Sequence, residues 1–143
     1  MTLASRYAIA VIGGGPAGLA AATEAAAMGL RVALFDEQGA PGGQIYRAIT
    51  TTPVQQRDVL GEDYWHGERL VAAFERSGAA HSARSTVWAV TPAEDGFELG
   101  LSKDGVAQLI RAKQVILATG AHERPFPIPG WTLPGVMTAG AAQ

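Results

Sequence analysis

The chain has 143 residues, 48% hydrophobic and 17% charged, enough apolar material for one globular domain with its own core. Eleven basic and thirteen acidic side chains leave a net charge of −2, with neither sign gathered into a block, which argues against nucleic-acid and anionic-membrane partners. There is no cysteine, so disulfide staples, thiolate metal sites and a redox-active cysteine pair are excluded within this stretch.

Tyr7 to Ile12 is an apolar run without polar alternation, as expected of a parallel strand covered on both faces. The apolar character continues to Ala22, but Gly13, Gly14, Gly15 and Pro16 interrupt it and Glu24 follows. It therefore reads as neither a signal peptide nor a membrane span, and a cytoplasmic protein is expected. Pro16 to Met28 is rich in Ala and Leu, with Pro16 suited to the first helical position and Gly29 to the stop, which predicts a helix. Arg31 to Phe35 then reads as a second buried strand. Asp36 to Gly61 is polar and loop-like, long enough to be functional. Within Glu62 to Ser77, Leu70, Val71 and Phe74 fall at helical spacing before Gly78, which predicts an amphipathic helix, started or interrupted near Gly67. Thr86 to Val90, Phe97 to Leu101 and Val106 to Ile110 are separated by turn chemistry and predict an antiparallel meander. Gln114 to Leu117 reads as one more buried strand, running through Ala118, Thr119 and Gly120 toward a proline-studded loop from Pro125 to Pro134. The fold class expected is α/β, a Rossmann-like parallel sheet with an inserted antiparallel three-stranded β-meander.

A strand ending at Ile12, a G-x-G-x-x-G of Gly13, Gly15 and Gly18, and a helix opening at Pro16 together supply the context in which this motif holds a dinucleotide. Gly13 turns the chain, Gly15 lets the backbone reach a pyrophosphate, and Gly18 lets helix and strand approach. With Gly14, Pro16 and Ala17 they form the candidate phosphate cradle. The first-turn amides lie at the positive end of the helix dipole, an effect of about 0.3–1 kcal/mol for an anion. Asp36, with Glu37 beside it, closes the second strand where an acid can accept hydrogen bonds from ribose hydroxyls, and its charge would repel a 2′-phosphate. Glycines alone could merely permit tight packing; strand, helix and acid in register favour a nucleotide.

A nicotinamide domain ordinarily continues in strand–helix repeats, whereas here the second strand leads to a loop, one helix and a meander, which favours a flavoprotein. The order resembles the two-dinucleotide-binding-domain flavoproteins. "VILATGAHERP", Val115 to Pro125, is similar to their strand-end signature, and "PGGQIYR" resembles the version found in thioredoxin-reductase-like members. The resemblance implies FAD contacts at Gly42, Gly43 and Gln44, adenine-facing backbone at Thr86 and Val87, and Ala118, Thr119 and Gly120 under the cofactor. Where one disulfide-reductase branch carries a cysteine pair, Gln44, Ile45 and Tyr46 stand, and they cannot exchange disulfides.

More closely, "GGQIYR", "YWHG" and "GAHERPFPIPGWTLPGVMTAGAAQ" resemble the FAD-binding A or alpha subunits of opine oxidases, with related subunits in hydrogen cyanide synthase and in D-hydroxyproline and proline dehydrogenases. That resemblance implies that residues 1–120 are the N-terminal part of an FAD-binding domain and 121–143 a connector toward a second dinucleotide-binding domain, leaving chiefly the adenine side of the site here. It also implies an amino-acid-like substrate oxidised at a carbon–nitrogen bond, a partner in the form of a second flavoprotein subunit, and no turnover by this stretch alone. An NAD(P)H-dependent flavin reductase of the thioredoxin-reductase-like group and a non-catalytic nucleotide-binding module are the alternatives.

His66, His81 and His122 lack metal-ligand spacing, so no metal site is assigned, and no catalytic residue is identified. Glu123 and Arg124 read as a loop-positioning pair, and Tyr64, Trp65 and Trp131 as aromatic anchors of loops.

Overall fold

Seven residues, RYAIAVI, form the strand around which the chain is organised, β1 (Arg6–Ile12). Ala10 and Val11 in it are fully buried, which is why the run carries no polar alternation. The computed structural model describes residues 5–124 and 126–142. The helix α1 (Pro16–Ala27) leads to β2 (Val32–Phe35), then α2 (Arg57–Leu60), α3 (Glu62–Arg76), β3 (Ala80–Ser82), β4 (Ser85–Ala93), β5 (Gly96–Lys103), β6 (Val106–Leu117) and α4 (Ala139–Ala142). The six strands form one sheet in the order β3-β2-β1-β6-β5-β4. β1 pairs in parallel with β2 and β6, Val11 lying opposite Leu34 on one side and Ile116 on the other, while β5 pairs antiparallel with β4 and with β6.

Each face of the sheet has its own core. On one, Leu19, Ala22 and Ala25 of α1 and Trp65, Val71 and Phe74 of α3 pack on Ile9, Val11, Val32 and Leu34. On the other, the meander supplies the cover: Leu99, Leu101, Ile110 and Ala112 pack on Tyr7, Ala10, Ala33 and Phe35. Burying a side chain such as Leu99 or Leu101 completely is worth about 1.5–3 kcal/mol, so the meander carries a full share of the stability.

The parallel sheet with its antiparallel meander agrees with the expectation, and the details differ in several places. The segments 106–110 and 114–117, expected as separate strands, are one strand of 12 residues. Its first part pairs with β5 and its second with β1, and Arg111 and Ala112 pair on both sides, so no turn can form between them. β3 was not expected, because three residues are too short for a periodic signal. α2 lies inside the expected loop and is held on α3 by the Trp65 indole N–H, which donates to the Arg57 carbonyl at 2.9 Å, and by the Arg57 guanidinium, 4.8 Å from the Trp65 ring centroid. Gly67 does not interrupt α3; it is buried there because the Tyr46 ring packs where its side chain would be. β4 extends through Pro92, tolerated because this is an edge strand. Met1 to Ala4, Pro125 and Gln143 of the expected segments lie outside the described residues.

Candidate functional site

The chain leaves β1 into a tight corner. The Gly13 N–H donates to the Phe35 carbonyl at 2.8 Å and the Ala118 N–H to the Ile12 carbonyl at 2.8 Å, so the ends of β1, β2 and β6 are tied together. Gly15 is the N-cap of α1 and brings no capping side chain; Pro16 follows with no N–H, and the first turn holds no acidic residue. The amides behind them therefore have no side-chain cap at the positive end of the helix.

Gly13, Gly14, Gly18, Gly42 and Gly43 all have reasons within the protein, since each lacks room for a Cβ. A Cβ on Gly18 would sit on the Gly13 carbonyl oxygen, and one on Gly43, whose φ is +66°, would lie 2.6 Å from the Gly15 Cα. Gly15 differs. Its backbone is extended, with φ −76° and ψ −178°, and a Cβ there would meet nothing closer than the Gly43 Cα at 3.9 Å. Neither conformation nor packing within the protein calls for glycine at 15.

Asp36 closes the site at the end of β2. One carboxylate oxygen accepts the Gly14 N–H and the other accepts the Gln38 N–H at 2.7 Å. Its backbone is held from the β3–β4 corner, donating to the Ser82 carbonyl at 3.1 Å and accepting from the Ser85 N–H at 2.8 Å. An ionised carboxylate has about four acceptor positions, so about half remain for hydroxyl donors.

The post-β2 loop returns to the cradle, the Gly42 N–H donating to the Gly14 carbonyl at 2.9 Å. The structure thus brings Gly13 to Gly18, Asp36, Gly42, Gly43 and Ala118 together at the carboxyl ends of three parallel strands, where open α/β sheets bind ligands. Glu37 and Gln44 are exposed beside it. Thr86, exposed, and Val87, half-buried, start β4 just beyond the serine that holds Asp36. Thr119 and Gly120 are exposed on the segment leaving β6.

Sequence reasoning missed what lies behind Asp36. Ser82 and Ser85 are buried with their hydroxyls 2.8 Å apart, and the Lys103 ammonium donates to Ser82 at 3.3 Å. No local motif announces this network, since Lys103 comes from β5. Nearby, His81 meets the Phe74 ring edge-on at a centroid distance of 5.6 Å, and its buried Nε2 has no hydrogen-bond partner among the described residues. Burial holds the His81 pKa below its ordinary 6.5; Asp36 and Glu75 oppose that shift and Lys103 reinforces it. The folded state therefore keeps His81 neutral while the unfolded chain takes up a proton near 6.5, so stability present above that pH is lost as pH falls through it toward the lower folded value. Urea unfolding at pH 7.5 and 5.5 is expected to show a loss on acidification that His81→Leu reduces; an equal loss in the variant would contradict this.

Glu123 accepts the Gly140 N–H at 2.8 Å, and its hydrogen bond to Thr138 pulls its pKa down, so it ties the post-β6 loop to α4. Trp65 is buried and Tyr64 lies edge-on to it at 5.0 Å. Trp131 is not the anchor expected: it is 47% exposed in a segment where Phe126, Ile128 and Leu133 are exposed too, so no core surrounds it. Among the described residues no group of three or more His, Cys, Asp or Glu could hold a metal ion, and no helix is long and apolar enough to cross a membrane.

A family model described as pyridine nucleotide-disulphide oxidoreductase matches residues 7–141. The A-type subunit of the opine oxidase of Agrobacterium tumefaciens (strain Ach5) is 51% identical, across 99% of this chain and 29% of its own length. Hydrogen cyanide synthase subunit HcnB of Pseudomonas protegens (strain DSM 19095 / LMG 27888 / CFBP 6595 / CHA0) is 41% identical, across 93% of this chain and 28% of its own. Among solved structures, L-proline dehydrogenase from P. horikoshii superposes with a TM-score of 0.68 at 28% identity, covering 85% of this chain and 24% of that one. The chain spans less than a third of the length of these relatives, and both curated ones are named as subunits.

Proposed function

We propose, for a chain that belongs to the pyridine nucleotide-disulphide oxidoreductase family, that the glycine cradle takes the pyrophosphate of FAD within a flavin-dependent oxidoreductase subunit. Gly15 carries this reading, because the protein itself leaves room for a side chain there and a phosphate would fill it. In the same reading Gly13, Gly14, Pro16, Ala17 and Gly18 present amides and close contacts to the pyrophosphate, and Asp36 with Glu37 takes the ribose hydroxyls. Thr86 and Val87 border the adenine, and Gly42, Gly43, Gln44, Ala118, Thr119 and Gly120 flank the rest. Residues 1–120 then form the FAD-binding part and 121–143 a connector. FAD, when bound, would supply the acceptor for a hydride from the carbon bonded to nitrogen, the carbon–nitrogen single bond becoming an imine. This chain's residues bind and orient that cofactor, and none of them is assigned to proton transfer.

Relatives named opine oxidase and L-proline dehydrogenase support an amino acid, imino acid or opine as substrate. Those named as subunits support a second flavoprotein subunit in the role of partner, and a cytoplasmic setting belongs to the same reading. The pyridine nucleotide in the family's description favours a second reading, an NAD(P)H-dependent flavin reductase. The test is anaerobic mixing of the FAD-loaded protein that carries this chain with amino acids, imino acids, opines and NAD(P)H. Bleaching of the flavin by an amino-acid-like compound supports the first reading. Bleaching by NAD(P)H alone supports the second, and no bleaching by any of them leaves a non-catalytic nucleotide-binding module.

A further inference from the structure

We infer that Arg47 is the cation that faces the pyrophosphate, an inference that rests on the FAD reading above. The stretch from Gly13 to Leu19 offers backbone amides and no positive side chain, although a pyrophosphate diester brings two negative charges. The loop packed against the cradle supplies one. Gly42 is bonded to Gly14, Gly43 lies against Gly15, and the side-chain oxygen of the next residue, Gln44, accepts from the Arg47 guanidinium. The guanidinium is thus tethered one residue from the cradle wall. Among the described residues Arg47 has no carboxylate partner; the ion pairs take up Arg6, Arg57, Arg111 and His66 instead.

The backbone around Arg47 is also fixed more firmly than a solvated arginine needs. The Tyr64 hydroxyl donates to the Arg47 carbonyl at 2.7 Å, and the neighbouring Tyr46 ring is seated on Gly67 of α3. Ile49 is buried in the helix-side core. Between these anchors Ala48 is held at φ +58°, a region that residues with a Cβ rarely adopt, and its carbonyl accepts the Thr51 and Thr52 N–H groups at 2.9 and 2.7 Å. A strained residue kept in place by surrounding contacts, directly after an arginine without a carboxylate partner, is the arrangement of a preorganised ligand contact. Tyr64 then acts as a positioning residue through the Arg47 carbonyl.

The test compares the wild-type chain with Arg47→Gln, Arg47→Lys and Tyr64→Phe, titrated with FAD and with ADP and adenosine as competitors at low and high salt, folding being checked by circular dichroism. Arg47→Gln is expected to weaken FAD and ADP about tenfold to a hundredfold, leave adenosine unchanged and flatten the salt dependence. Arg47→Lys should recover part of the loss. Tyr64→Phe should weaken FAD less than Arg47→Gln while keeping the salt dependence. Equal FAD affinity in Arg47→Gln and wild type, or an equal loss for adenosine and ADP, overturns the role of Arg47 while the cradle stands. Absence of FAD binding by the wild-type chain overturns the FAD reading itself, and the Arg47 inference with it.

Discussion

Gly15→Ala is expected to fold as well as the wild-type chain and to lose nucleotide affinity, whereas Gly18→Ala is expected to lose stability. At 15 the extended backbone accepts alanine and the nearest atom to the new Cβ is 3.9 Å away. Alanine is the poorer N-cap, while it also lowers the entropy of the unfolded chain; these effects oppose each other at about 0.5–1 kcal/mol each. The methyl group, however, would stand where the pyrophosphate approaches, and forced overpacking of about 1–3 kcal/mol corresponds to roughly five- to 150-fold in affinity. At 18 the new Cβ would meet the Gly13 carbonyl oxygen, so helix and strand must separate at a cost of about 1–3 kcal/mol or more. Urea midpoints and FAD dissociation constants of both variants separate the two roles. If Gly15→Ala bound FAD as tightly as wild type, the space at 15 would have no ligand to explain it.

Asp36→Asn should weaken both the ligand and the corner that receives it. The carboxylate now accepts from Gly14 and Gln38 through different oxygens, and an amide side chain has one acceptor oxygen with which to replace two. Hydrogen bonds to a charged group are worth about 1.5–3 kcal/mol, so a loss of roughly tenfold or more in FAD affinity is expected, with a smaller fall in the unfolding midpoint. The backbone bonds to Ser82 and Ser85 are unaffected by the change and keep β2 in register, so the variant should retain the native circular dichroism spectrum. Unchanged affinity with a lowered midpoint would make Asp36 a purely structural residue of the glycine corner.

What the sequence made legible was local. Ile12, the three motif glycines, Pro16 and Asp36 follow one another within a strand, a turn, a helix and a strand, and each step has its own composition signal. The structure assembles them as read, with Gly14 bonded directly to Asp36. The features that escaped depend on residues distant in sequence. The continuity of β6 through Arg111 and Ala112 comes from pairing with two different strands, which no hydropathy pattern records. Lys103 reaches Ser82 only because β4 and β5 fold back beside the end of β2. The firm seat of Arg47 depends on Tyr64, whose residue type reads as a loop anchor without telling which loop it holds. Trp131 failed in the opposite sense: its type and its Gly–Pro surroundings suggested an anchor, and the segment has no core to anchor to.

The central claim, that this cradle holds the pyrophosphate of FAD beside an acid that takes the ribose, is tested most directly by titrating the purified chain with FAD and following flavin fluorescence, with ADP, FMN and NAD as competitors. The account predicts saturable FAD binding that ADP displaces and FMN does not, because Asp36 and the Thr86–Val87 border serve the adenosine part that FMN lacks. Binding of NAD alone, or displacement by FMN with none by ADP, would contradict it.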